Sequence, residues 1–158
     1  MKKGFTLVEL LVVIAIIGVL ASIVLVSFPS ASKKAKDSRI VSAVTQARKM
    51  MLQAFVMDNS YSAFSTTSPS EMTTLGSDVS ANSPSNYVLF VTRKTGNTGA
   101  CMYAVLNAKL PTNYWYCVDS TGKFGYTTTY PASLTGCAGS TPCCTVTNAI
   151  CPTVIAEP

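Results

Sequence analysis

The sequence contains no histidine, and only 12% of its 158 residues are charged. Without an imidazole, the Ser-His and Cys-His pairs that activate nucleophiles cannot be assembled, and a mixed cysteine and histidine zinc site has no nitrogen ligand. No C-x-x-C occurs, the spacing expected of a thiol oxidoreductase and of most structural zinc sites. No N-x-S/T sequon occurs either. Carboxylates are scarce: residues 120–158 hold only Glu157, too little for a carboxylate-rich calcium loop. The balance of 12 Lys+Arg against 7 Asp+Glu gives a net charge of +5, but Lys2, Lys3 and the 33–49 stretch carry the excess. From residue 50 onward four basic groups face five acidic ones, so the broad basic surface of a nucleic-acid-binding domain is missing from the composition. Catalysis is left with little to work with beyond the adjacent thiols Cys143 and Cys144.

Cysteine is absent from the first hundred residues and then occurs six times, as Cys101, Cys117, Cys137, Cys143, Cys144 and Cys151. If a membrane segment exports that half of the chain, disulfides follow from the oxidising compartment. A thiolate metal site is the competing reading.

Such a segment is present. From Phe5 to Phe28 the sequence FTLVELLVVIAIIGVLASIVLVSF carries one charge, Glu9. At 1.5 Å per residue this is about 36 Å of helix, enough for a hydrocarbon core. Lys2 and Lys3 place the amino terminus in the cytoplasm by the positive-inside rule, although Lys33, Lys34, Lys36 and Arg39 on the far side weaken that bias. Glu9 needs an explanation, because an acid at the bilayer centre costs about 2.5–3.5 kcal/mol on insertion scales and less near the interface. A secretory signal peptide has a shorter apolar run and a small-x-small cleavage site. A plain signal anchor accounts for the length but not for Glu9 or Gly4. A short basic leader ending at Gly4, cut from a helix that stays attached, accounts for all of them.

KKG followed by FTLVELLVVIAIIGVLASI resembles the class III signal of type IV pilins and pseudopilins, and the resemblance continues through the basic helix to about residue 57. It implies a leader of residues 1–4, cleavage between Gly4 and Phe5 by a prepilin peptidase, N-methylation of Phe5, and Glu9 as the assembly carboxylate. The implied protein is a structural filament subunit with no cofactor and no metal. It is stored as a single-pass precursor in the inner, cytoplasmic membrane with its head outside the cytoplasm, and later joins an extracellular pilus or a periplasm-spanning filament. Its implied partners are further copies of itself, related pilins, the peptidase, the inner-membrane assembly machinery and, before assembly, the membrane. Within the family the alternatives are a minor pilin with a binding role in DNA uptake or adhesion, and a secretion pseudopilin.

The physical chemistry agrees with that implication. Cleavage would create an amine on Phe5, charged at neutral pH because an α-amino group has a pKa near 8. In a bundle, Glu9 of one subunit can neutralise Phe5 of the next, and burial makes either charge costly alone. A Glu9 merely solvated at the interface is the simpler alternative. Ala15, Gly18 and Ser22 form a small-residue stripe that admits a close neighbour helix, although monomeric anchors carry such stripes too.

The head, residues 29–158, reads as α+β: a long amino-terminal helix packed on an antiparallel four-stranded sheet, with an irregular, disulfide-stapled carboxy-terminal region. Ile40, Val44, Ala47, Met51 and Ala54 continue the helix with an apolar stripe to about residue 57. The basic residues Lys33, Lys34, Lys36, Arg39, Arg48 and Lys49 fall mostly on solvated or intersubunit faces. Residues 59–86, with nine serines and four threonines, read as a surface loop holding one short helix near 71–75. Strands are expected at 86–93, 101–108, 113–119 and 123–129, joined by short turns into a meander whose both faces are apolar. Residues 130–158 are the natural cover for the outer face. Cys101 and Cys117, on consecutive strands, are the favoured pair, leaving Cys137, Cys143, Cys144 and Cys151 to staple the cover; a vicinal bond is disfavoured by strain. Disulfide closure of this region is common in the family, usually with fewer cysteines. A nucleic-acid surface would have to come from Arg93, Lys94, Lys109 and Lys123 with Tyr87, Tyr114, Trp115 and Tyr126; core packing is the competing use of those rings.

Overall fold

The computed structural model describes residues 4–107, 114–128 and 130–131. Its elements are α1 (Leu7–Asp58), α2 (Glu71–Asn82), a 3-10 turn at Pro84–Asn86, and strands β1 (Phe90–Arg93), β2 (Ala100–Val105), β3 (Trp115–Asp119) and β4 (Phe124–Thr127). The chain divides into two compact units, Met1–Lys33 and Lys34–Pro158.

In the first unit α1 is exposed on every side. Ile14 is 61% exposed and Ile17 58%, values that a helix packed within its own chain would not show. An all-round apolar helix needs an apolar solvent or neighbouring helices. This helix is long and apolar enough to cross a membrane, with its backbone bonds satisfied internally. Pro29 lies inside it and removes one of those bonds.

In the second unit the apolar stripe of α1 is buried against the sheet. Ile40, Ala43, Val44, Ala47 and Met51 form one core with Met102, Ala104, Tyr116 and Val118. Burying a side chain of Ile or Met size contributes about 1.5–3 kcal/mol. The strands pair antiparallel in the order β1-β2-β3-β4, as a meander with short connections should. Register and pleat assign the side chains to two faces: Met102 stands opposite Val118, and Tyr103 opposite Cys117. The even-numbered set meets α1. The odd-numbered set, Cys101, Tyr103, Val105, Trp115 and Cys117, forms a second buried cluster on the outer face with Phe90. Phe90 stacks on Tyr103 at 4.8 Å between ring centroids, and Tyr130 meets Trp115 at 5.5 Å. The β3–β4 turn closes on Asp119, whose Oδ1 accepts bonds from the Thr121 and Lys123 backbone N–H groups. Gly122 at φ 102° supplies the left-handed residue there.

Two expectations need correction. The helix near 71–75 runs to Asn82, because Met72 and Val79, with half-buried Leu75 between them, give the serine-rich segment an apolar edge that reaches the core. The first strand begins at Phe90 rather than residue 86, because Ser85 and Asn86 have positive φ and turn the chain. Of the basic residues of 33–49, all but Arg48 are exposed; Arg48 is half-buried, its guanidinium 5.0 Å from the centroid of the Phe124 ring.

One buried polar group joins distant parts of the head. Asp37, 8% exposed, accepts the Asn107 backbone N–H at 2.6 Å and its Nδ2 at 2.9 Å, and the same Nδ2 donates to the Asn82 carbonyl at 2.8 Å. Helix α1, the end of α2 and the chain leaving β2 are thereby fixed to one another.

Burial, with a hydrogen bond to Tyr130, raises the Tyr103 phenol above the ordinary tyrosine value. The neutral phenol is therefore the form the fold stabilises. That contribution should be complete below about pH 10, the ordinary value, and should be lost as pH rises further. Alkaline denaturant titrations should show unfolding free energy falling above that pH, and Tyr103→Phe should flatten the fall.

Candidate functional site

The amino-terminal turn is built around Thr6 and Glu9. Thr6 donates its backbone N–H at 2.9 Å and its hydroxyl at 2.8 Å to Glu9 Oε2, while the Glu9 N–H donates back to Thr6 Oγ1 at 3.2 Å. This is a capping box: Thr-x-x-Glu satisfies otherwise orphaned donors reciprocally, and a carboxylate in the first turn also complements the helix dipole. The carboxylate that looked unexplained in the sequence has local partners within one chain. Sequence reading missed Thr6, although T-L-V-E ahead of an apolar run is the signature of such a box.

Gly4 and Phe5 precede the first helical residue, so their peptide bond lies outside the helical hydrogen-bond ladder. Phe5 is 83% exposed. A Cβ on Gly4 would meet nothing within 4 Å, so packing within the chain does not require glycine there. The same holds for Gly18. Ala15, Gly18 and Ser22 are all exposed, and the Ser22 hydroxyl is turned back onto the Val19 carbonyl at 2.7 Å.

The residues of the nucleic-acid alternative do not gather into one surface, although Tyr87 and Trp115 line one cavity on the outer face. Tyr114 and Tyr126 stack on each other in the inner core, Trp115 belongs to the outer face, and the Arg93 guanidinium donates to the Ser62 carbonyl. Lys109 lies outside the described residues. Among the described residues no group of three or more carboxylate, thiol or imidazole side chains is gathered for a metal.

Cys101 and Cys117 are both disulfide-bonded and fully buried on the outer face. Cys101 stands opposite Asp119, and Cys117 opposite Tyr103, so the two are diagonal neighbours rather than a facing pair. Diagonal Cα atoms are about 7–8 Å apart, beyond the usual disulfide span of about 4.4–6.8 Å. The register therefore disfavours the bond between them expected from the sequence. Cys137, Cys143, Cys144 and Cys151 lie outside the described residues. Non-reducing peptide mapping should join the Cys101 and Cys117 peptides to peptides from 137–151, and alkylation without reduction should label neither strand cysteine. A Cys101–Cys117 dipeptide would reverse this expectation.

Comparison with known proteins bears first on the amino-terminal segment. Residues 1–25 match the prokaryotic N-terminal methylation motif. The type IV wide pilus major component PilA4 of Thermus thermophilus is 39% identical over 61 residues, 39% of this chain and 47% of that protein. The chain thus spans about half the length of this curated relative. No solved structure matches. Motif, apolar helix and relative agree in making the amino-terminal part of the chain similar to that of type IV pilins.

Proposed function

We propose that the protein is a structural subunit of a type IV pilus-like filament. It would be cut between Gly4 and Phe5 by a prepilin peptidase, methylated on Phe5, and held as a single-pass membrane precursor until its helix is drawn into a polymer. The observation that carries this reading is a methylation motif opening a helix whose apolar surface is exposed on all sides. Such a surface is stable in lipid or among other helices, and a subunit moved from membrane to filament occupies both. Glu9 keeps its capping contacts in the monomer and pairs with the Phe5 amine of a neighbour in the polymer.

Intact-mass measurement of the membrane form tests the processing. The expected species lacks Met1 to Gly4 and carries one added methyl group on Phe5. An amino terminus still at Met1, or a cut near Ala21, would overturn the reading.

A further inference from the structure

Asp58 and Glu71 are exposed carboxylates of the head, and both line one cavity of about 330 Å³. Its apolar walls come from Met50, Ala54 and Met57 on the last turns of α1 and from Pro69 before α2. Of these walls, Met57 is 75% exposed, so apolar surface lies open to solvent at the groove. Nearer the start of the same helical segment, Lys34, Lys36 and Arg39 are all exposed.

From Lys36 to Asp58 the helix rises about 33 Å, several times the physiological Debye length of about 8 Å. Neither charge set can satisfy the other within one copy. We propose that the acid-rimmed groove docks the basic 34–39 collar of a second copy of this chain. This rests on the filament reading and names the surface through which heads would meet. Lysine and arginine suit the groove for a physical reason: their aliphatic stems can cover the methionine and proline walls while their cationic ends reach the carboxylates at the rim. Arginine can also engage a carboxylate with two parallel hydrogen bonds. The contact is heterologous, groove on one copy and collar on the next. Repetition therefore gives an open array rather than a closed pair.

The test uses the full-length chain in cells carrying the assembly machinery. Asp58→Lys with Glu71→Lys should remove most shearable filaments, and raised salt, which screens the new like-charge repulsion, should recover part of them. Lys36→Glu with Arg39→Glu should do the same, and combining all four changes should restore assembly. A separate measurement avoids dependence on folding of the reversed heads: Arg39→Cys and Met57→Cys in one chain should give a ladder of multimers with a short bismaleimide, and neither change alone should. Wild-type filament yield in the groove variant, failure of the four-change chain to recover, cross-linking that stops at dimers, or no ladder would each overturn the docking. If only the collar variant were defective, its partner would be an anionic surface other than this groove, and the proposal would fall. In each of these cases wild-type filaments would still support the subunit reading. Absence of wild-type filaments would remove both.

Discussion

Replacing Glu9 with alanine is expected to abolish filaments while leaving membrane insertion, leader cleavage and head folding intact. The head core is drawn entirely from residues beyond Lys33, so the substitution removes none of its packing. The monomer should sit in lipid at least as comfortably, because an ionised side chain has been removed from an apolar helix. In the polymer the Phe5 amine would have no counter-charge. One unpaired charge in a low-dielectric bundle costs several kcal/mol, and that penalty recurs at every subunit. Electron microscopy of sheared filaments, with immunoblotting of processed subunit in membranes, reads the two effects apart. Glu9→Gln refines the test. Glutamine can serve in a capping box with Thr6 as glutamate does, so this variant retains the local cap and loses only the charge. Filaments of normal number and length from Glu9→Gln would assign the residue to capping; their loss would assign it to ion pairing.

The second large effect is expected in the head. Asp37→Ala would leave the Asn107 backbone N–H, now bonded at 2.6 Å, without its buried acceptor. An orphaned buried donor costs about 1–3 kcal/mol, and the hold on Asn107 Nδ2 is lost at the same time. Denaturant unfolding of the detergent-solubilised chain should show the lower stability, with Asp37→Asn intermediate because its amide oxygen can still accept. If Asp37→Ala unfolds at the wild-type midpoint, this junction does not stabilise the head.

The parts of the molecule that repeat locally could be read from the sequence. The apolar run of 5–28 is unbroken, the stripe through Ile40, Val44, Ala47 and Met51 is periodic, and the four strand segments with their short connections left little choice but a meander. Even the second buried face was visible as apolar residues of both parities. What was hidden lacks a local period. Asp37 looked like one more charge in a basic helix, because its partner is 70 residues away. The length of α2 was masked by serines and threonines, although Met72, Leu75 and Val79 carry the helical spacing. At the amino-terminal site, Gly4, Phe5 and Glu9 stood out by type, whereas Thr6 was overlooked because a threonine draws no notice until the residue three positions on is considered.

For a chain packed as in the proposed filament, the sheet has a further consequence. Among the described residues its outer strands, β1 and β4, are four residues each. An open strand edge is a template for a foreign strand, and packed copies would present many such edges. Short edges limit that template. At one side Arg93 ends the strand and Lys94 follows it; at the other, Lys123 precedes the strand, and Gly125 at φ 143° interrupts extended backbone opposite Cys117. Positive charge and broken geometry both discourage strand addition. In the proposed filament, a chain polymerising through its helix would thereby be guarded against polymerising through its sheet, and ordered fibre growth would be separated from amyloid-like association.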